Sequence, residues 1–303
     1  MPLAAAILVL ASGVCVAQTI HWTQADDMVP QEYNFAFASG DLDGDLDQDL
    51  TIPGSNGWEY WNVGTPREPV WELDVNQFPG IPFCRDPMGS LGDIDGDGDL
   101  DLLLACFYWP CLRLYRNTGT PPGDPSWEYD PILEWFDWGG PKDPCLADID
   151  ADGDLDILMV ASLGPLSLFE NAGSPSSPDW TSPIAIGGIT VGPGANISVA
   201  LGDIDGDGDL DVVGGTMDTE PQCWENIGTP QSFEFIENPG LIASVIVDTE
   251  EFVSDFELVD LDSDGDQDLL IVTLTDHNYF FLNDGPVTPV RRTSWGTIKA
   301  LYR

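Results

Sequence analysis

Five short segments of the chain carry an acid at every second position. They read DLDGDLDQD from Asp41, DIDGDGDLD from Asp93, DIDADGDLD from Asp148, DIDGDGDLD from Asp203 and DLDSDGDQD from Asp260. Four carboxylates converging on one point at ~6 Å repel by ~0.7 kcal/mol per pair in water, or roughly 4 kcal/mol per loop before salt screening. A folded loop of this kind calls for a cation. With oxygen donors only, and no His or Cys nearby, the donor set suits a hard ion of high coordination number. Calcium is expected rather than magnesium, because each loop offers many protein oxygens.

The alternation assigns side-chain ligands to positions one, three, five and nine of each loop. These are Asp41, Asp43, Asp45 and Asp49; Asp93, Asp95, Asp97 and Asp101; Asp148, Asp150, Asp152 and Asp156; Asp203, Asp205, Asp207 and Asp211; and Asp260, Asp262, Asp264 and Asp268. A backbone carbonyl is expected from position seven, at Asp47, Asp99, Asp154, Asp209 and Asp266. Position six must bend sharply around the ion, and it is Gly98, Gly153, Gly208 and Gly265 in four loops. The first loop has Leu46 there, where a left-handed backbone costs ~1–2 kcal/mol, so its site should be the weakest or differently shaped. An EF-hand would need a carboxylate at position twelve, which is here Ile52, Leu104, Met159, Gly214 or Ile271. The loops are not EF-hands.

The elements that must hold these loops repeat with them. Loop starts are 52, 55, 55 and 57 residues apart. A short, partly apolar run precedes each loop (NFAFASG, GSLG, PCLA, ISVALG, FELV), and a strongly apolar one follows it (LTI, LLLAC, ILMVA, VVGG, LLIVTL). A third run ends in Asn and Gly (WEYWNVG, LRLYRNTG, LSLFENAG, QCWENIG, YFFLNDG), and in four units an aromatic run comes next (VWEL, SWEY, DWTS, SFEF). Short runs broken by Gly, Pro, Asn and Asp are strand and turn signals. Four strands in about 55 residues make one β-propeller blade, with the Asp loop between its first and second strands. The expected fold is therefore all-β, a propeller of five four-stranded blades. One unmatched run, IHWTQ at 20–24, would complete the fifth blade and fasten the ring. A larger propeller or a linear β array are the alternatives.

The pattern D-x-D-x-D-G-x-x-D, followed by an apolar strand and an Asn-x-Gly run, resembles the FG-GAP or VCBS repeat. That family includes the blades of integrin α-subunit heads and many secreted bacterial proteins. The resemblance covers residues 20–285 and implies a calcium-bearing β-propeller, commonly of seven blades; five here is a departure. It further implies that calcium stabilises the hairpin loops while other surfaces bind ligands, so it names no ligand.

The composition fits this frame. The 303 residues hold 53 Asp and Glu against 9 Lys and Arg, a formal net charge of −44. Such a surface repels nucleic acid and anionic membranes, while 43% apolar residues and 11 Trp oppose disorder. Of the 39 Asp, 25 lie in the five loops, and five calcium ions would bring −44 to −34.

The sequence divides into an expected signal peptide at 1–17, the propeller at 18–286 and a basic tail at 287–303. Leu3 to Ala17 is an apolar run too short to span a bilayer comfortably, with small residues suiting cleavage before Gln18. The tail carries Arg291, Arg292, Lys299 and Arg303, four of the nine basic residues. Export to the exterior or cell surface is expected, with no integral membrane segment left afterwards. Five cysteines would remain, of which Cys106 and Cys111 flank a turn and could form a hairpin disulfide; buried free thiols are the alternative for the set.

The expected function is extracellular binding or adhesion toward a glycan or a protein. Candidate contacts are Tyr108 and Trp109 in CFYWPC, and Trp135, Phe136 and Trp138 in ILEWFDWGG, although most Trp should pack between blades. A polysaccharide-active enzyme is an alternative, with Glu134 and Asp137 as a possible acid pair. No nucleophile or phosphate-loop motif supports it, and His21 and His277 read as strand residues, so no enzyme is expected. A passive surface or assembly protein is the third reading.

Overall fold

The computed structural model describes residues 20–286 except 32–35, 53–57, 76–80, 82–86, 107–111, 120–124, 134–141, 162–165, 190, 192–196, 218, 249–250 and 276. The apolar start, the basic tail and all five candidate aromatic contacts lie outside the described residues.

The described structure starts with strand β1 (Ile20–Gln24) and then lays down four blades in sequence. Blade 1 holds β2 (Ala38–Gly40), β3 (Asp49–Ile52), β4 (Trp58–Asn62) and β5 (Trp71–Val75). Blade 2 holds β6 (Pro87–Gly92), β7 (Asp101–Cys106), β8 (Arg113–Asn117) and β9 (Trp127–Asp130). Blade 3 holds β10 (Lys142–Ala147), β11 (Asp156–Ala161), β12 (Leu166–Phe169) and β13 (Ile184–Ala185). Blade 4 holds β14 (Ile197–Gly202), β15 (Asp211–Thr216), β16 (Gln222–Asn226) and β17 (Phe235–Glu237). Blade 5 holds β18 (Val253–Val259), β19 (Asp268–Thr273) and β20 (Tyr279–Pro286), and β1 completes it.

Each blade is a four-stranded antiparallel sheet, so the protein is a five-bladed β-propeller. The ring closes as the repeat phase requires: β1 pairs with β20, placing Trp22 opposite Asn283 and Thr23 opposite Leu282. Innermost strands touch around the ring, from β2 to β6, β10, β14, β18 and back to β2. The second strands β7, β15 and β19 are buried along their whole length, which is why they read as unbroken apolar runs.

One blade departs from its run. In blade 3 the stretch DWTS contributes only a bridge from Trp180 to Asn171, and the paired fourth strand is β13, further on. Pro178 and Pro183 flank that stretch, and neither can donate to a ladder.

The core sits between blades. Five apolar clusters fill the five seams; Phe37, Leu50 and Tyr60 of blade 1, for example, pack with Leu261, Leu270 and Phe280 of blade 5. Trp22, Trp127, Trp180 and Trp224 are buried there, as expected of most propeller tryptophans. Close approach fixes small residues beside the loops: a Cβ on Gly40 would stand 2.4 Å from Leu100 Cδ1, and one on Gly92 would stand 2.6 Å from Leu155 Cδ1. A leucine of the next Asp loop thus docks on each glycine.

Polar bonds also cross the inner seams. The Leu146 N–H donates to Ser90 Oγ, the Val199 N–H to Asp143 Oδ2, and the Phe37 N–H to Asp255 Oδ2. Ser39 donates to Glu257 Oε1 from both its N–H and its hydroxyl. Among the described residues no helix is long and apolar enough to cross a membrane.

Candidate metal centres

Each Asp loop is a turn folded around its own first carboxylate. In the fourth loop Asp203 Oδ1 accepts from the N–H groups of Gly206 (2.8 Å) and Asp207 (3.0 Å), and its Oδ2 accepts from Gly208 N–H (2.9 Å). Position three accepts from the position-five N–H, as in Asp207 N–H to Asp205 Oδ1 at 3.2 Å, and position five accepts from position seven. The first, second, third and fifth loops repeat the clasp on Asp41, Asp93, Asp148 and Asp260. This wrapping demands left-handed backbone at two places. Position six has φ of 98°, 97°, 96° and 101° at Gly98, Gly153, Gly208 and Gly265, and 79° at Leu46, the exception read from the sequence. Position four is also left-handed, with φ 57° at both Ala151 and Ser263. The sequence reading missed that second bend.

The position-nine aspartate ties the loop to the blade. Its Oδ1 accepts from the N–H of the Asn in or just beyond the third strand: Asp49 from Asn62 (2.9 Å), Asp101 from Asn117 (2.8 Å), Asp156 from Asn171 (2.7 Å), Asp211 from Asn226 (2.9 Å) and Asp268 from Asn283 (2.9 Å). The Asn side chain then organises the next turn. Asn226 Oδ1 accepts from Gly228 N–H and Glu234 N–H, and Asn62, Asn117 and Asn171 do the same in their blades. The five-fold Asn-x-Gly pattern was the available signal for this latch, although by itself it indicated only a turn.

Three carboxylates per loop offer oxygens within 4.8 Å of one another. They are Asp41, Asp43 and Asp49; Asp93, Asp95 and Asp101; Asp148, Asp150 and Asp152; Asp203, Asp205 and Asp211; and Asp260, Asp262 and Asp268. Four loops thus converge positions one, three and nine, and the third converges one, three and five. Asp45, Asp97, Asp207 and Asp264 at position five, and Asp156 at position nine of the third loop, stand outside these triads. So do the position-seven side chains of Asp47, Asp99, Asp154, Asp209 and Asp266, from which only a carbonyl was expected.

The electrostatics are those of crowded acids. Burial first, and then neighbouring carboxylates, raise the pKa of Asp43, Asp95, Asp150 and Asp262, and of Asp205 to about 6. Burial raises the position-nine groups of Asp49, Asp156, Asp211 and Asp268 to about 7 against the pull of backbone N–H donors. Asp101 reaches only about 6, because the Arg116 guanidinium also lowers it. Asp47 Oδ1 and Asp154 Oδ1 are buried with no hydrogen-bond partner. An all-oxygen donor set, mutual repulsion and partnerless buried oxygens are conditions a bound cation relieves, so these clusters could hold metal ions.

Elsewhere, Cys145 and Cys223 are free thiols, with burial pushing both pKa values up, while Cys106 is disulfide-bonded to a partner outside the described residues. His21 and His277 bond to Asp284 and Asp26 on the periphery. Glu134 and Asp137 lie outside the described residues. A cavity of about 640 Å³ opens beside blades 4 and 5 at the ends of the strands away from the Asp loops, lined by Ile242, Ile246, Phe252, Glu220, Asp248 and Glu251 among others.

The FG-GAP-like repeat profile matches residues 93–159 and 148–214. No curated protein matches the chain at a significant level. Among solved structures, a Photorhabdus luminescens Tc holotoxin pore is 23% identical with a TM-score of 0.43, the alignment covering 90% of this chain and 12% of that one. An Agrocybe aegerita lectin that recognises non-reducing terminal N-acetylglucosamine is 16% identical with a TM-score of 0.39, covering 88% of this chain and 64% of that one. The chain therefore spans less than two thirds of either. The matched stretch carries FG-GAP-like repeats, and its loop, strand and Asn latch recur in the flanking blades of this five-bladed β-propeller.

Proposed function

We propose that the protein is an exported, calcium-loaded propeller that serves as an extracellular binding module for a glycan or protein partner. The observation that carries the calcium reading is the convergence, five times over, of three carboxylates in an all-oxygen loop. Asp203, Asp205 and Asp211, and their counterparts, would hold the ion. Bound calcium would offset part of the loop's crowded charge and help fasten the first two strands of a blade to the latch Asn of the third.

The binding role rests on a division of the molecule. The Asp loops occupy one end of the strands, where a structural ion leaves little room for a ligand. At the other end, the cavity beside blades 4 and 5 combines exposed apolar side chains, Ile246 at 73% and Phe252 at 50%, with the carboxylates of Glu220, Asp248 and Glu251. Concave surfaces that pair apolar side chains with polar groups able to fix orientation are the usual form of binding sites. Catalysis is not part of this proposal, since no nucleophile or phosphate-loop motif accompanies these features.

The test has two arms. With ~1 mM calcium and a dissociation constant of ~0.1 mM, each site adds about 1.4 kcal/mol. Chelation should therefore lower the melting temperature by many degrees; no shift with EDTA would remove calcium from the account. A calcium-replete pull-down and glycan array, run on the wild type and on an Ile246→Ser, Phe252→Ser variant, addresses the ligand. A partner retained at full strength by the variant would move the binding surface elsewhere.

A further inference from the structure

The five loops are not electrostatically equivalent, and the difference lies in one register position: the residue that precedes the latch Asn on the third strand. It is Trp61 in blade 1, Arg116 in blade 2, Glu170 in blade 3, Glu225 in blade 4 and Leu282 in blade 5. Two of these are neutral, two are acidic and one is a cation.

Arg116 points into its loop. Its Nη1 donates to Asp101 Oδ2 at 3.1 Å and lies 3.5 Å from Asp95 Oδ2, so it contacts two of the three converging carboxylates. Its Nε donates to Asp130 Oδ2 at 3.1 Å, which anchors the guanidinium from β9. The side chain is only 15% exposed, so this is not a solvent-screened surface pair. Arg is also suited to the place, because its planar fork serves two carboxylates at once and it stays charged at any relevant pH.

The other arginine near a loop among the described residues, Arg67, donates from Nε to the Asp262 carbonyl at 3.5 Å and stands 4.0 Å from its carboxylate, but it is 70% exposed, so water screens it.

We infer that Arg116 is the built-in counter-ion of the second Asp loop, which therefore needs no calcium while the other four loops take it up. A fixed unit charge a few ångströms from a dication weakens its binding by at least about tenfold. The inference rests on the calcium reading above and refines it from five equal ions to four.

The test is calcium stoichiometry on the full chain, by native mass spectrometry and equilibrium dialysis from ~0.01 to ~2 mM calcium. The wild type should take up four ions, with a fifth only at a concentration at least about tenfold higher. Arg116→Gln should take up five, and Arg116→Lys should remain at four. Hydrogen exchange at Gly96 and Gly98 should be indifferent to EDTA, while exchange at Gly206 and Gly208 should accelerate. Five equivalent ions on the wild type, or no fifth ion on a folded Arg116→Gln chain, would overturn the inference. Should Arg116→Gln not fold, hydrogen exchange on the wild type decides alone: exchange at Gly96 and Gly98 that accelerates with EDTA as it does at Gly206 and Gly208 would overturn the inference. A wild type that binds no calcium at all would defeat the underlying reading, an outcome distinct from these.

Discussion

Ser198 Oγ donates to Asp255 Oδ1 at 2.8 Å and accepts from the Phe256 N–H at 2.9 Å, so one hydroxyl of blade 4 fastens a buried carboxylate of blade 5. Asp255 also accepts from the Phe37 N–H of blade 1, and Asp143 of blade 3 accepts from the Val199 N–H beside Ser198. Four blades thus meet through two carboxylates and a serine along the innermost strands, with Glu257 of blade 5 bonded to Ser39 of blade 1.

These acids make the ring sensitive to pH. Burial raises Asp143 and Glu257 to about 7 and holds Asp255 well above the usual carboxylate range, with Asp143 and Glu257 adding to the shift of Asp255. Raised values mean that the folded chain binds more protons than the unfolded chain above about pH 4. Stability from these groups is greatest on the acid side and falls as pH rises through about 7. In saturating calcium, which masks the loop carboxylates, the melting temperature should drop between pH 5 and pH 8. Asp255→Asn should reduce that drop and raise the melting temperature at pH 8. An unchanged slope in the variant would refute the assignment.

Leu46 sits at φ 79° with 81% of its surface exposed, so its side chain gains nothing from packing while its backbone is strained. Leu46→Gly should stabilise the calcium-loaded protein by ~0.5–1 kcal/mol, the strain relieved outweighing the added freedom of the unfolded chain. For the reverse change, Gly98→Leu, the added Cβ meets no atom within 4 Å but φ is 98°, and the change should cost ~1–2 kcal/mol. Urea denaturation of both variants decides the matter; equal stabilities would show that the bend carries no strain.

Asn226 is 1% exposed, and its Oδ1 is the acceptor for Gly228 N–H and Glu234 N–H. Asn226→Ala leaves two donors without that acceptor and should cost ~2–4 kcal/mol. The exposed neighbour Ile227→Ala should cost well under ~1 kcal/mol. Similar losses from the two changes would deny the latch its role.

Thr23 and Leu282 face each other across the β1–β20 pairing that closes the ring. Cysteines at both positions should form a disulfide on oxidation and raise the unfolding midpoint, since they join residues far apart in sequence. Thr23→Cys paired with Cys at the mismatched Phe280 gives the control. Failure of the in-register pair to crosslink in folded protein would contradict the closure.

Much of this architecture is legible without coordinates, because its information is local and repeated. Asp at alternating positions, the run after each loop and the Asn-x-Gly that follows recur at nearly constant spacing, and a single unmatched aromatic run at 20–24 fixes how the ring closes. The exception at Leu46 is equally plain, since only one loop lacks Gly at position six. Where local chemistry is irregular, as between Pro178 and Pro183, the fourth strand of blade 3 falls further along the chain than its aromatic run indicates.

The tertiary structure decides which charges meet. Alternation nominates four side-chain ligands per loop, but the turn around Asp203 and its counterparts brings only three together, and a different three in blade 3. No spacing rule reveals that Arg116 enters its loop rather than facing solvent, because that depends on the anchor at Asp130 across a strand pair. Asp143 and Asp255 each stand five residues before an Asp loop, at a position that is acidic in only two of the five repeats, and become a proton-sensitive seam only when blades 3, 4, 5 and 1 converge. Repetition encodes the blade and its ion loop; the interactions that distinguish one blade from another arise between residues that only the closed ring makes neighbours.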